Sequence, residues 1–167
     1  MNESSEKLKA AFAGESQANR KYLAFAKKAE ADGYKQVARL FRAAAEAETV
    51  HAHNHLRIDG GIGSTSANLK EAISGETFEY TKMYPEYLEI ANGEGNKQAA
   101  WSFDVANKVE EIHAGYFKSA LKAMEAGERL ADTDYYVCQV CGNTVEAEAP
   151  EKCPICNAPR AQFLKVD

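Results

Sequence analysis

The fold class predicted by this sequence is an all-α four-helix bundle made of antiparallel helix pairs, followed by a small module built on four cysteines. Three observations predict it. Four long segments have apolar residues recurring every three or four positions. The second pair of segments restates the first. In the tail, where all the cysteines lie, that periodicity is lost.

The first helix is expected from about Ser4 to Ala31, with Leu8, Ala11, Phe12, Glu15, Ala18, Tyr22, Phe25 and Ala29 on one stripe and Gly33 closing it. The second runs from about Lys35 to Asp59 through Val37, Leu40, Phe41, Ala44, Ala47, Glu48, His51 and Ile58, and Gly60-Gly61 stops it. The third is expected from Asn68, a plausible N-cap, to about Asn92, through Leu69, Ile73, Glu76, Glu79, Tyr80, Met83, Tyr87 and Ile90. Pro85 should kink it, because proline offers no N–H and its ring displaces the carbonyl four residues back. The fourth runs from about Lys97 to Ala126 through Phe103, Ala106, Glu110, His113, Phe117 and Leu121, ending at Gly127. The stretch GGIGSTSA at 60–67 is glycine-rich, but it follows a helix and lacks GK[ST], so it reads as an inter-helix connection and not a phosphate loop. The polar segment 128–134 links a first domain, 1–130, to a second, 134–167.

Composition narrows the function classes. Of 167 residues, 45% are apolar and 27% charged, ordinary for a globular protein. Twenty Lys and Arg stand against 25 Asp and Glu, a net charge of −5 with no basic block, so no nucleic-acid partner is expected. No apolar run is long enough to span a membrane and MNESSEKLKAAF has no signal-like core, so no membrane association and a cytoplasmic location are expected.

Each stripe is apolar except for carboxylates and imidazoles near its middle. A helix normally keeps glutamate on its wet face, since an unpaired carboxylate in a core costs several kcal/mol. The same break in all four helices therefore calls for a cause, and the repeat locates it. AFAGE at 11–15 returns as AISGE at 72–76, an offset of 61; Glu48-x-x-His51 returns as Glu110-x-x-His113, an offset of 62. An antiparallel bundle made of two such halves brings Glu15, Glu48, His51, Glu76, Glu110 and His113 to one level. A glutamate on each of two helices and ExxH on each of the other two is the ligand set of a carboxylate-bridged two-metal site. Carboxylates so crowded would repel or stay protonated, and two multivalent cations remove that conflict. Oxygen and imidazole ligands suit iron or manganese better than copper(I), while ligand type alone leaves zinc open.

Glu79 shares a face with Glu76 but has Ala18 as its counterpart, which makes it a candidate extra ligand that renders the two metals inequivalent. In EAETVHAHNH, residues 46–55, Glu48 and His51 are one turn apart and face inward, Glu46 and His53 point away, and His55 lies a turn beyond the ligand level in a packing or supporting role. Cys138-x-x-Cys141 and Cys153-x-x-Cys156 make a strong signal for a tetrahedral four-thiolate site. By spacing alone a structural zinc ribbon and a one-iron rubredoxin-type centre fit equally. Beside a redox-active pair of metals, a thiolate iron has the further use of passing single electrons. Tyr135, Tyr136 and Phe163 are placed to cover that centre or to form the module's core.

In this order, the AGE of the first helix, the first ExxH, GETFE with the following MYPEY, the second ExxH and the paired CxxC knuckles resemble the rubrerythrin family over nearly the whole chain. The resemblance implies a ferritin-like diiron bundle with a C-terminal rubredoxin-like domain. It implies two non-haem irons bridged by carboxylates and one iron, or zinc, held by four cysteines. The implied activity is reduction of hydrogen peroxide to water, protecting against oxidative stress. The carried-over diiron ligands are Glu15, Glu48, Glu76, Glu79, Glu110 and His113, with His51 replacing Glu79 at one iron on reduction, and Tyr22 and Tyr84 hydrogen-bonding around the site. With no GxGxxG after a strand, electrons are expected from an external donor, a rubredoxin or an NADH-linked reductase. Asn157 departs from the family's usual glycine in the second knuckle; asparagine tolerates the left-handed backbone, so the fold is expected to survive. From His113 to Gly127 the helix runs about 21 Å, which favours a homodimer with electron transfer between subunits. The alternatives are a ferroxidase or iron-handling protein, and a metal-buffering bundle with a zinc ribbon.

Overall fold

The computed structural model describes residues 2–166. It contains α1 (Glu3–Ala31), α2 (Lys35–Ile58), α3 (Thr65–Phe78), a π-helical turn (Glu79–Met83), α4 (Tyr84–Gly93), α5 (Lys97–Glu125), β1 (Tyr135–Cys138), β2 (Thr144–Glu146), a 3₁₀ turn (Arg160–Gln162) and β3 (Phe163–Val166). The chain thus supplies the helices of a four-helix bundle, its third rod broken in two, and then a three-stranded sheet. Among the described residues no helix is long and apolar enough to cross a membrane. The described residues form two compact units that divide between Gly63 and Ser64.

The first unit is the α1–α2 hairpin. Asn2 caps α1 by accepting from the Ser5 N–H, which satisfies one of the donors a helix start leaves open. The buried seam is made of small residues: Ala26 and Ala29 on α1 with Ala38, Ala45 and Ala52, spaced by sevens, on α2. Small side chains let two backbones approach closely, so the seam takes the alanines. The larger apolar residues of the expected stripe flank it: Val37, Leu40 and Ile58 remain 44%, 67% and 61% exposed. Within this hairpin, then, these α2 residues form a second apolar face beside the buried seam, which the stripe of α1 joins at Ala29.

In the second unit α3 starts three residues before the expected Asn68. Ser64 is the N-cap, its Oγ accepting from the Ala67 N–H at 3.2 Å. Pro85 also acts differently from a simple kink. It sits in the first turn of α4, where its missing N–H costs least, and the irregularity falls just ahead of it as the π turn. A π turn accommodates one extra residue in a helix, and the repeat shows that residue. Glu15 and Glu76 are 61 apart, whereas Tyr22 and Tyr84, Phe25 and Tyr87, and Phe41 and Phe103 are all 62 apart. The ring clusters confirm the alignment. Tyr22, Phe25 and Phe41 meet with centroids 5.6–6.4 Å apart, and so do Tyr84, Tyr87 and Phe103.

The sheet has the order β2-β1-β3, antiparallel throughout. Its core is Cys138, Cys153 and Ala158, with Ile155 and Phe163 packed against them. Phe163 thus belongs to the module's core, whereas Tyr135 packs its ring edge-on against Tyr116 of α5 at 6.0 Å.

Candidate metal centres

In the first unit, one ligand atom from each of Glu15, Glu48 and His51 falls within 4.8 Å of the others. The spacing of ExxH puts His51 Nδ1 2.9 Å from Glu48 Oε2. Glu15 reaches the pair from α1 across the alanine seam. Behind them Asn19 is buried and donates to the Ala45 carbonyl at 2.7 Å and to Thr49 Oγ1 at 2.8 Å, which pins α1 to α2 beside Glu48. A groove of about 230 Å³ opens next to Glu48, lined by Phe12, Ser16, Asn19, Arg20 and Thr49. Glu46 and His53 are exposed, and His53 also lines the groove beside Glu48, nearer to it than a residue pointing away would be. His55 is half-buried and lines a separate groove with Leu8 and Ala11.

The second unit repeats the cluster. Ligand atoms of Glu76, Glu110 and His113 lie within 4.8 Å of one another. His113 Nδ1 is 2.7 Å from Glu110 Oε2 and 4.0 Å from Glu76 Oε1. Burial and the neighbouring Glu110 carboxylate push the Glu76 carboxyl up to about 7. Glu79 lies outside the three-residue cluster but is close enough to feel it; burial and Glu110 raise its carboxyl as well. The Tyr84 hydroxyl is also raised, by burial and then by Glu79, Glu110 and Glu76, so it stays protonated beside the carboxylates. His113 is raised mainly by its hydrogen bond to Glu110, against the effect of burial.

The two histidines differ in setting. His51 has a side chain 54% exposed, His113 only 27%. His113 Nε2 lies 2.9 Å from Thr144 Oγ1, and that hydroxyl is 3.3 Å from the Gly142 carbonyl. With His113 protonated, Nδ1–H donates to Glu110, Nε2–H donates to Thr144 and Thr144 donates on to Gly142, which fixes the orientation of the ring. Tyr116 reaches the Thr144 carbonyl at 3.4 Å. This corrects the expectation that the cysteine module lies far from its own chain's ligands: the segment after α5 folds back, and β2 lands on the helix at His113. Thr144 could not be found from sequence, since its partner is 31 residues away and no periodic pattern connects them.

Cys138, Cys141, Cys153 and Cys156 form the third cluster. The Cys138–Cys156 and Cys141–Cys153 sulfurs are 3.7 and 3.6 Å apart, close to the edge of about 3.8 Å for a tetrahedron of thiolates 2.3 Å from a central metal. The knuckles are copies of each other. The N–H groups of Gly142 and Asn157 donate to the carbonyls of Cys138 and Cys153, and those of Cys138 and Cys153 to Asn143 and Ala158. Both turns need a left-handed residue; Gly142 has φ +83° and Asn157 φ +62°, so asparagine holds the second turn as expected.

The donor sets fit metals on their own chemistry. Glu76 is driven toward protonation by burial and by the Glu110 carboxylate beside it, and a cation between the two carboxylates would reverse that shift. Burial pushes the Cys141 thiol far up, and a bound metal would hold it as thiolate.

These features define a helical protein with two carboxylate–histidine clusters and a four-thiolate module, each able to hold metal. The rubrerythrin family model matches residues 6–121, and the model for the rubrerythrin rubredoxin-like domain matches residues 136–164. The chain belongs to the rubrerythrin family. It is 36% identical to rubrerythrin-2 of Clostridium acetobutylicum, covering 93% of this chain and 92% of that one. It is 37% identical to a rubrerythrin of Porphyromonas gingivalis, covering 92% and 84%. Among solved structures it is similar to fully reduced, all-ferrous nigerythrin, with 35% identity, a TM-score of 0.57 and coverage of 99% of this chain and 88% of that one.

Proposed function

We propose that the protein is a non-haem diiron peroxidase that reduces hydrogen peroxide to water, with electrons delivered through an iron held by Cys138, Cys141, Cys153 and Cys156. The observation carrying this reading is the recurrence of one Glu–Glu–His cluster in both helical units, together with a thiolate module that hydrogen-bonds one of the two histidines. Glu15, Glu48, His51, Glu76, Glu79, Glu110 and His113 would hold two irons, which when bound supply the two electrons needed to cleave one O–O bond. Glu79, present in one half only, and His51, the more open histidine, are the pair suited to exchange at one metal as its charge changes. Tyr84, and Tyr22 at the matching place, would orient carboxylates by donating their hydroxyl protons. The hydrogen bonds from His113 through Thr144 to Gly142, next to Cys141, hold the thiolate module against the helix that carries Glu110. An external rubredoxin or an NADH-linked reductase would replenish the electrons.

Rapid mixing of the anaerobically reduced protein with peroxide or with oxygen tests this reading. Faster oxidation by peroxide is expected; faster oxidation by oxygen would make it a ferroxidase. The as-isolated protein should be red and bleached by dithionite, and colourless protein carrying four-coordinate zinc would remove the electron route.

A further inference from the structure

We infer that Tyr116 and Tyr135 form a reserve electron source, through which the protein completes the reduction of peroxide when the metal pair holds only one electron. The inference rests on the proposed diiron reaction and adds a function for two residues outside the ligand set. Its observation is a row of side chains within the second unit that leads from His113 to an exposed carboxylate.

His113 and Tyr116 are three apart on α5, so their side chains share a face with Cβ atoms about 5–6 Å apart. Thr144 joins them a second time: its hydroxyl lies 2.9 Å from His113 Nε2, and its carbonyl accepts from the Tyr116 hydroxyl at 3.4 Å. The ring of Tyr116 then meets that of Tyr135 edge-on, with centroids 6.0 Å apart. Among the described residues this is the one ring contact that joins a helix to the cysteine module. Register places Glu146 of β2 opposite Tyr135 of β1, and the Tyr135 hydroxyl donates to Glu146 Oε1 at 3.1 Å. Glu146 is exposed.

Packing alone does not ask for these hydroxyls. Phenylalanine at 135 would present the same ring edge to Tyr116. What a phenol adds is a removable electron, and a phenol that loses an electron must lose its proton with it. The two hydroxyls differ in that respect: the partner of Tyr116 is a backbone carbonyl, which does not take a proton, whereas the partner of Tyr135 is a carboxylate, which does. Tyr116 is therefore the stepping stone and Tyr135 the place where oxidation comes to rest. Burial and the bond to Glu146 raise the Tyr135 hydroxyl above the usual phenol range, so it keeps its proton until the electron leaves. Tyr84 lies nearer the ligands, but the carboxylates around it, Glu79, Glu110 and Glu76, serve poorly as bases once metal holds them.

The need for a reserve follows from supply. A four-thiolate iron delivers electrons singly, so the pair passes through a state with one electron, while cleaving the O–O bond takes two. In that state one electron comes from the metals and one from Tyr135 by way of Tyr116. The O–O bond breaks, the two oxygens take two protons from solvent and leave as water, and Tyr135 becomes a neutral phenoxyl radical. Its proton passes to Glu146 and on to solvent. A small thiol at the surface then returns a hydrogen atom to the ring oxygen.

Freeze-quench electron paramagnetic resonance on the whole chain tests the inference. The bundle is loaded with iron and the four-cysteine site with zinc, so that the latter cannot supply the second electron. The protein is brought to half reduction with dithionite and mixed with hydrogen peroxide. A tyrosyl signal is expected, narrowed by ring-deuterated tyrosine, with a nitroso spin-trap adduct that peptide mapping places on Tyr135. Tyr135→Phe should abolish signal and adduct, and Glu146→Gln should slow their formation by at least about ten-fold. Both variants should match the wild type in peroxide oxidation of the fully reduced pair, and circular dichroism with a metal count checks that they fold and load. An undiminished radical in Tyr135→Phe, or a half-reduced wild type that consumes peroxide with no protein radical, overturns the reserve and leaves the peroxidase reading intact. A fully reduced wild type that peroxide does not oxidise overturns both.

Discussion

The two helical halves carry the same ligands and the same aromatic cluster, yet one of them contains a π turn and the other does not. In the α1–α2 half, Glu15 and Tyr22 stand on an unbroken α-helix, with Ala18 between them. In the other half one additional residue lies between Glu76 and Tyr84, the helix widens over Glu79–Met83, and Glu79 occupies Ala18's place. A repeated site with a single insertion is no longer symmetric. The half with the π turn gains a third carboxylate, the raised Glu76 and a histidine braced by Thr144, while the other keeps an open His51.

The largest effect should come from removing a residue where none is surplus. Deleting Ala18 from α1 would turn everything after it by about 100°, moving Tyr22 and Phe25 off Phe41 at an expected cost of about 2–4 kcal/mol, measured by chemical denaturation. Deleting Thr81 removes the residue that the π turn absorbs, so it should restore a plain α-helix with Tyr84 and Tyr87 still on Phe103 and cost much less. Glu79→Ala is expected to lower peroxide turnover more than about ten-fold, whereas Ala18→Ser should leave it nearly unchanged; equal effects would remove the asymmetry argument. Thr144→Val, of similar shape but without the hydroxyl, should slow turnover by about ten-fold with all metals and the visible spectrum of the thiolate centre retained.

A pH series separates the halves without mutation. The Glu76 carboxyl is raised to about 7, so between about 4.5 and 7 the folded metal-free protein holds a proton that the unfolded chain has released. Stability of the metal-free protein should therefore fall as pH rises through that window, and Glu76→Gln should flatten the trend. With metal bound the slope should reverse, because binding displaces the proton. The smallest effect is local to the thiolate module: Asn157→Gly should stabilise it by about 0.5–1 kcal/mol, detected as slower iron loss.

The sequence disclosed the chemistry better than the packing. Glu–Glu–His triplets, the helix limits and the cysteine knuckles were legible because helical spacing alone brings ExxH partners together and CxxC fixes its own turn. The π turn was present in the sequence as two different offsets, 61 and 62, but only the backbone shows where the additional residue sits. The alanine seam of the hairpin was harder to read, because hydrophobicity marks large residues, whereas closest approach of two helices selects alanine. Ser64 displaced Asn68 as the cap since both are good caps and the glycines before Ser64 free the chain to start earlier. The bracing of His113 by Thr144 depends on how the segment after α5 folds back, which no local pattern encodes.

Anomalous diffraction at the iron edge from crystals of the iron-loaded protein tests the central claim most directly. Two bundle irons about 3.5–4 Å apart, held between Glu48 and Glu110 with Glu15, Glu76 and the histidines around them, are expected. Single irons in separate clusters, or carboxylates turned to solvent with no pair between them, would contradict it.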